Sequence, residues 1–165
     1  MTQNEQPKDL DPIATVKVEP PTTLVIGHDG SRNAARALEV GLQLASEIGA
    51  PVTILRSWSL VTAPRPQSWT FGYVPSDDEL AAAVCEKLTA DTAKQRAAFP
   101  SVDVTCRAYH AGPAQSLIRA SREARMLVVG ARGVGGFREM VLGSVSDQCV
   151  WHAHCPVLVT RLESD

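Results

Sequence analysis

A glycine-rich segment near the C-terminus, placed between a short apolar run and a helical pattern, constrains the fold of this chain most. The apolar run is 126–129, and the glycines with the serine that ends the segment are Gly130, Gly133, Gly135, Gly136, Gly143 and Ser144. Glycine permits a positive φ and lets main-chain N–H groups turn inward. The first turn of the helix, which we expect Ser144 to cap, adds unpaired N–H donors and a partial positive charge. The segment is therefore typical of a concave anion site, and a phosphate chain is the ligand that fits it.

Size and charge exclude several classes of protein. The 165 residues fit one domain with a sizeable core. Sixteen Lys and Arg against eighteen Asp and Glu leave no basic excess, so we expect no nucleic-acid partner. No apolar run approaches the about 20 residues that a membrane helix needs. Since the N-terminus also lacks the layout of a secretion signal, we expect a cytoplasmic protein that does not associate with membranes.

Short apolar runs alternate with helical patterns from Thr22 onwards, whereas residues 1–21 are polar and aperiodic. We predict a disordered N-terminal arm over 1–21 and a folded domain over 22–162. The five predicted strands cover 24–26, 52–55, 102–106, 126–129 and 156–159. The helix signals between them are an N-cap at Ser31 with a closing Gly49, a capping box over 76–79, Gly112–Pro113, and Ser144.

This alternation predicts an α/β fold, a five-stranded parallel doubly wound sheet with helices on both faces. The third predicted strand alternates apolar and polar residues, which suits an edge, and an order of 3-2-1-4-5 places the first and fourth strands centrally. Ligands of such sheets bind where the winding reverses, beyond the carboxyl ends of those strands. Those ends are 27–29 and 130–133, so the topology and the glycine segment indicate the same crevice.

From Thr22 to Arg161 the chain resembles the ATP-binding branch of the universal stress protein family. The specific element is Gly-x2-Gly-x9-Gly-Ser, formed here by Gly130, Gly133, Gly143 and Ser144. Val-Ile-Gly-His-Asp-Gly-Ser at 25–31 and Cys-Pro-Val-Leu-Val at 155–159 support the resemblance. It implies an adenine nucleotide alpha hydrolase-like fold of the strand order given above.

The resemblance also implies a ligand, which is ATP, expected together with Mg²⁺. In ATP-binding members the glycine segment and the hydroxyl matching Ser144 hold phosphates and ribose, the aspartate matching Asp29 lies at the nucleotide, and main chain matching Ser57 meets the adenine. The nucleotide-binding residues that we predict are Gly27, Asp29, Ser57, Gly130, Arg132, Gly133, Gly135, Gly136, Gly143, Ser144 and Val145. We predict no catalytic residue and no metal bound directly by a protein cluster.

Individual residues in this set also have plainer explanations. Asp29 is suited to accept from a ribose hydroxyl or to hold Mg²⁺, but Asp-Gly-Ser is also a common turn sequence. Arg132 and Arg138 could screen phosphate charge, or they could be solvated arginines of a loop.

We expect a nucleotide-dependent sensor or switch of the stress response rather than an efficient enzyme. A Walker-type loop would need a lysine before its Ser or Thr, and no lysine occurs between Arg96 and the C-terminus. Glu139 is expected on the surface, so we predict at most weak ATPase activity. The alternative is a dimeric adaptor or structural stress protein that binds no nucleotide.

A second alternative concerns the cysteines and histidines near the C-terminus. The residue types of Cys149, His152, His154 and Cys155 could ligate zinc, but the last two fall at the turn into a buried strand, which is unsuitable geometry. The chain has no Cys-x2-Cys pair, and we expect its four cysteines to be reduced and mostly buried.

The last predicted strand indicates self-association. Val157, Leu158 and Val159 are apolar without alternation although they would form an outer strand, and a bare apolar edge invites aggregation. Pairing with a second copy across a two-fold axis removes that edge, and members of the resembled family usually dimerise through their last strands. We therefore predict a homodimer through these three residues.

Overall fold

The computed structural model describes residues 16–67, 69–135 and 141–162. Within these ranges the chain forms five strands and four helices that alternate in sequence. In chain order they are β1 Leu24–Gly27, α1 Arg32–Ile48, β2 Val52–Trp58, α2 Asp77–Ala97, β3 Val104–His110, α3 Pro113–Ala120, β4 Met126–Gly130, α4 Ser144–His152 and β5 Val157–Thr160.

The strands form one parallel sheet in the order β3-β2-β1-β4-β5, which confirms the predicted fold class. β1 lies at the centre, with Leu24 opposite Val52 of β2 on one side and Met126 of β4 on the other. Successive residues of a strand point to opposite faces of the sheet. Leu24 and Ile26 therefore enter a core formed with α1 and α2, whereas Val25 enters the core on the face of α3 and α4.

Local capping signals set most helix ends as predicted. The Ser31 hydroxyl accepts from the N–H of Ala34 at 3.1 Å, and Gly49 closes α1 in the left-handed conformation at φ 66°. Ser76 and Glu79 form a complete capping box at the start of α2. Pro113 begins α3 at a position where its missing N–H costs nothing.

Several predicted boundaries need correction. β2 runs three residues further than expected, so Ser57 lies inside the strand rather than beyond it. β3 begins at Val104 instead of Val102 and continues to His110. The N-cap of α4 is Gly143, not Ser144, because Ser144 already lies in the first helical position and its hydroxyl caps nothing.

Residues 16–21, which we assigned to the arm, include two core residues. Val16 and Val18 are 4% and 2% exposed and pack into the core on the face of α3 and α4. The Val18 N–H also donates to Glu123 Oε2 at 3.3 Å. The folded part therefore begins at or before Val16, and residues 1–15 lie outside the described part of the chain.

The two edges of the sheet differ in character. β3 alternates between half-buried and exposed residues over 104–107, as predicted for a half-solvated edge. β5 forms the other edge, and Val157, Leu158 and Val159 are all half-buried. Within the described residues no helix is both long and apolar enough to span a bilayer.

The burial of Val16 and Val18 leads to a stability prediction. Replacing both with Ala removes buried methyl groups and leaves space in the core, so we expect the free energy of unfolding to fall by about 2–4 kcal/mol. Urea unfolding followed by circular dichroism measures this change. Lys17→Ala is the matched control, because Lys17 lies between them and is exposed. An unchanged unfolding midpoint in the double variant would show that this segment does not belong to the core.

Candidate functional site

A cavity of about 440 Å³ opens at the carboxyl ends of β1 and β4, on the face of the sheet that α3 covers. Its inner wall is apolar and includes Leu55, Leu117 and Val129, which also belong to the core on that face. Its rim is formed by the β1–α1 turn, the glycine segment and the first turn of α4. The cavity thus lies where the winding of the sheet reverses.

The structure brings ten of the eleven predicted site residues together around this cavity. They are Gly27, Asp29, Ser57, Gly130, Arg132, Gly133, Gly135, Gly143, Ser144 and Val145. The eleventh, Gly136, lies outside the described residues, as do Arg138 and Glu139. What these residues bind stays a prediction.

Sequence reasoning missed eight further lining residues. They are His28, Ala34, Leu55, Pro113, Leu117, Val129, Val134 and Ser146. Most of them are apolar residues that a pattern of hydrophobicity assigns to the core, since such a pattern does not distinguish a core residue from a cavity wall. Ser146 could have been predicted as a lining residue, because it follows Ser144 by two residues in the opening turn of a helix.

The carboxylate of Asp29 joins the two sides of the rim. Its Oδ1 accepts from the N–H of Ser31 at 2.9 Å, which shapes the turn into α1. Its Oδ2 accepts from the N–H of Val134 at 3.0 Å, across 105 residues of sequence. Asp29 therefore stabilises the Asp-Gly-Ser turn and also contacts the glycine segment directly.

The ends of the glycine segment are held together at one carbonyl group. Ala131 O accepts from the N–H of Gly143 at 2.7 Å, and the buried hydroxyl of Ser146 lies 2.8 Å from the same oxygen. The Ala131 N–H in turn donates to Thr160 O of β5 at 2.7 Å. These bonds fix where β4 leaves the sheet and where α4 begins.

Gly130 and Gly133 are required by close approach rather than by a positive φ. Of Gly130, Gly133, Gly135 and Gly143, none has φ in the left-handed region, so that part of the expectation is wrong. A Cβ on Gly130 would lie 2.7 Å from the main-chain carbon of Asn33, and a Cβ on Gly133 would collide with Asp29 Oδ2. A Cβ on Gly135 would meet nothing within 4 Å.

Ser57 brings an unsatisfied hydroxyl to the cavity wall. Its Oγ is buried and has no hydrogen-bond partner among the residues that the structure describes, and the residue lines the cavity next to Leu55. A buried hydroxyl without a partner is costly, so such groups in a cavity wall often mark a contact with a ligand or water.

His28 lies beside the rim in a charged environment that keeps it neutral. Arg56 Nη2 lies 2.8 Å from His28 Nδ1, and Arg56 Nε donates to His28 O at 3.1 Å. Burial and then the positive charge of Arg56 lower the pKa of His28 to about 4, while Asp29 and Asp91 oppose this shift. A neutral imidazole with Nδ1 as acceptor is the form that this arrangement favours.

The described residues do not support the zinc alternative. Over 16–67, 69–135 and 141–162 no three His, Cys, Asp or Glu side chains converge as a metal site. Burial, with a smaller contribution from Cys155, raises the pKa of Cys149 to about 12, which disfavours the thiolate that zinc needs. All four cysteines are free, but Cys149 alone is buried and the others are half-buried, so the expectation of mostly buried thiols is wrong.

The lowered pKa of His28 predicts an acid-dependent loss of stability. Below about pH 6.5 the unfolded chain binds a proton on this imidazole that the folded chain does not bind until about pH 4. Stability therefore falls as the pH is lowered through this window, by about 3 kcal/mol over the whole of it. Urea unfolding at several pH values measures how the free energy of unfolding changes with pH. In the control variant His28→Asn, this change should be smaller by the contribution of about one proton. Equal changes in the two proteins would contradict the prediction.

Comparison with known proteins places the chain among relatives of this fold. The universal stress protein family model matches residues 21–161. A universal stress protein of Bacillus subtilis, YxiE, is 31% identical over 144 residues, which cover 84% of this chain and 97% of YxiE. Some mycobacterial relatives are longer. Universal stress protein Rv2623 of Mycobacterium tuberculosis is 30% identical, and the match covers 84% of this chain and 44% of Rv2623.

Solved structures show the same architecture at lower identity. A universal stress protein crystallised in complex with cAMP has a TM-score of 0.63 at 22% identity and covers 86% of this chain and 98% of its own. One from Archaeoglobus fulgidus in complex with dAMP has a TM-score of 0.57 at 18% identity, covering 84% and 96% respectively. The strand order, the family model and these relatives agree, and this chain belongs to the universal stress protein family.

Proposed function

We propose that this universal stress protein binds ATP, together with Mg²⁺, and acts as a nucleotide-dependent sensor or switch with slow or no hydrolysis. The observation that carries the proposal is the cavity itself, in which an apolar wall faces a rim of glycine main chain and the start of a helix. Its volume of about 440 Å³ lies within the range of small-molecule sites.

The apolar end of the cavity suits an adenine ring. Leu55, Leu117 and Val129 offer the flat aliphatic surface that a base needs, since a base buries apolar area on both of its faces. Ser57 adds an unsatisfied hydroxyl at this end, which is a partner for a polar atom at the edge of the ring. This favours an aromatic heterocycle over a plain sugar phosphate.

The polar end suits phosphate groups. The N-cap of α4 is Gly143, which has no side chain that could bond to the first N–H groups of the helix. The first N–H groups of a helix have no partner within it, and both Ser144 and Val145 line the cavity. Arg132 lines the same rim and adds a positive charge near this turn.

The solved relatives provide support from outside this chain. Structures of two proteins of the same fold were solved in complex with cAMP and with dAMP, which are adenine nucleotides with one phosphate group. A cavity with an apolar end and a helix N-terminus fits that ligand class, and the larger phosphate chain of ATP is the specific part of the proposal.

The composition of the rim argues for binding without rapid turnover. Among the described lining residues, Asp29 is the one carboxylate, and none is a lysine. Mg²⁺ would be held mainly by the phosphates and by waters, since this ion keeps several waters. Fast phosphoryl transfer needs more positioned charge than these residues supply.

Mass spectrometry of small molecules that co-purify with the protein tests the proposal first, followed by titration calorimetry with MgATP, ADP and AMP. We expect ATP to bind with a thermal shift that grows with ligand concentration, since a ligand that binds the folded state stabilises it. The absence of heat and of a thermal shift with each nucleotide would overturn the proposal. Turnover well above about 1 s⁻¹, in the range of ordinary enzymes, would overturn the switch role.

Gly133→Ala is a local test of the site. The new Cβ collides with Asp29 Oδ2, so the carboxylate must move and release the N–H of Val134. We expect ATP affinity to fall at least about tenfold, or about 1.4 kcal/mol, with an unchanged circular dichroism spectrum. Gly112→Ala is the control, because Gly112 does not line the cavity, has a φ of −60°, and its Cβ would approach nothing closer than 3.9 Å, so affinity should stay within about twofold. Equal affinities in the two variants would count against the site.

We also propose that the protein is a homodimer through β5. Pro156 O accepts from Leu127 of β4, and Thr160 O accepts from Ala131, directly after β4. The backbone groups of these even-numbered positions therefore face inward, and those of Val157 and Val159 face the open edge. Val157, Leu158 and Val159 are half-buried in one chain and would be covered by a second copy.

Val159→Pro tests this edge. Proline removes the N–H of residue 159, which faces the open edge, and keeps the hydrogen bonds between β5 and β4. We therefore expect light scattering to report a monomer at micromolar concentration, where the parent chain is a dimer. Val159→Ala, which keeps the N–H, should remain dimeric. A monomeric parent protein under these conditions would refute the dimer.

An adaptor without nucleotide is the second candidate function, and one surface favours it. The loop between β2 and α2 exposes large apolar side chains, with Val61, Phe71 and Val74 at 93%, 98% and 86% exposure. Such side chains often mark a contact with another protein. The nucleotide titrations above separate the two functions, since an adaptor of this kind would show no heat with any nucleotide.

A further inference from the structure

Arg56 links three elements at the base of the cavity rim. It extends from β2 toward α2, its side chain is 11% exposed, and its Nη1 lies 2.8 Å from Asp91 Oδ2. Its remaining two nitrogens contact His28, with Nε bonded to the main-chain oxygen and Nη2 facing Nδ1. Asp91 also forms an ion pair with Lys87 at 3.0 Å. The guanidinium is therefore bound to α2 on one side and to His28 on the other.

The contact with His28 sets the start of the β1–α1 turn. The guanidinium lies directly below this turn, because a Cβ on Gly30 would be 3.9 Å from Arg56 Nη2. Gly30 itself has a φ of 87°, so the turn needs a residue without a side chain at this point. Asp29 lies between His28 and Gly30, and its carboxylate reaches the N–H of Val134.

We propose that Arg56 is a positioning residue for the nucleotide site, which acts through His28 and Asp29 on the glycine segment. The proposal rests on the proposed nucleotide function. Arg56 fixes the main chain at His28, this orientation places the Asp29 carboxylate, and the carboxylate places Val134. The guanidinium fits this task because it offers several donors in one rigid plane, which a lysine cannot do.

The action of Arg56 is positional rather than an attraction for phosphate. Asp91 neutralises the guanidinium at 2.8 Å, so little net charge from this pair reaches the cavity. Arg56 and Ser57 are neighbours in β2 and point to opposite faces of the sheet, so the guanidinium lies on the face away from the apolar wall. Arg56 is also not among the residues that line the cavity.

Arg56→Met tests the proposal, because Met keeps the length of the side chain and removes its donors. We expect MgATP affinity to fall about tenfold and the hydrogen exchange of the Val134 amide to become faster in the nucleotide-free protein. Val84→Ala is the control for general loss of stability, since Val84 is a buried residue of α2 that does not line the cavity. It should lower the melting temperature and leave affinity and the exchange of the Val134 amide unchanged.

Asp91→Ala separates position from charge. If Arg56 acts by position, loss of its anchor weakens ATP binding by a few-fold. If it acts by charge, the freed guanidinium makes the site more positive and binding becomes tighter, which would overturn the proposal. Arg56→Lys should give an affinity between those of the parent and the Met variant.

The outcomes distinguish this inference from the proposed function. A parent protein that binds no nucleotide refutes the function and the inference together. A parent that binds ATP, with an Arg56→Met variant of equal affinity, refutes the role of Arg56 and leaves the function in place. Equal losses in Arg56→Met and Val84→Ala would likewise refute the positioning role.

Discussion

The rim of the cavity depends on the carboxylate of Asp29. It accepts from the N–H of Ser31, two residues ahead, and from the N–H of Val134, far along the chain. β1 and β4 are neighbours in the sheet, so this carboxylate ties together the segments that leave them. The other bonds described for the glycine segment lie at its ends, around Ala131 and Gly143. Within the described residues, Asp29 therefore holds the segment at Val134 against the β1–α1 turn.

The parallel sheet makes this arrangement possible. All carboxyl ends of the strands meet at one edge, and the order with β1 and β4 at the centre places two strand ends beneath one opening. The close approach of Gly130 to Asn33 brings α1 against this edge, since no side chain separates the two main chains. The glycines thus contribute to packing as much as to ligand access.

The fold and the position of the cavity were predictable from the sequence because many of their signals are local. Ser31, Gly49 and the capping box at 76–79 each bond to main chain within a few residues, and the structure confirms all three. The burial of Val16 and Val18 was missed because their neighbours in the sequence are polar, and contact with Glu123 arises only in the folded chain.

The missed features of the site share a physical cause, which is separation in sequence. Gly143 caps α4 because its N–H is fixed by Ala131 O, twelve residues earlier, whereas the sequence favours the hydroxyl of Ser144. Arg56 and His28 lie 28 residues apart and have no local pattern that pairs them. Periodicity and capping rules cannot foresee such contacts, because they depend on which strands become neighbours.

The position of Asp29 also limits the anions that the rim accepts. A free phosphate against the N–H of Val134 would lie near a carboxylate, and two like charges 4 Å apart repel by about 4 kcal/mol at an effective dielectric constant of 20. A hydroxyl donor has no such penalty and can bond to Asp29 while a phosphate lies at the opening turn of α4. A nucleotide carries both groups at a fixed separation, whereas inorganic phosphate carries only the anion. If the rim is the proposed nucleotide site, it would discriminate against free phosphate by charge, and a nucleotide would fit it by geometry.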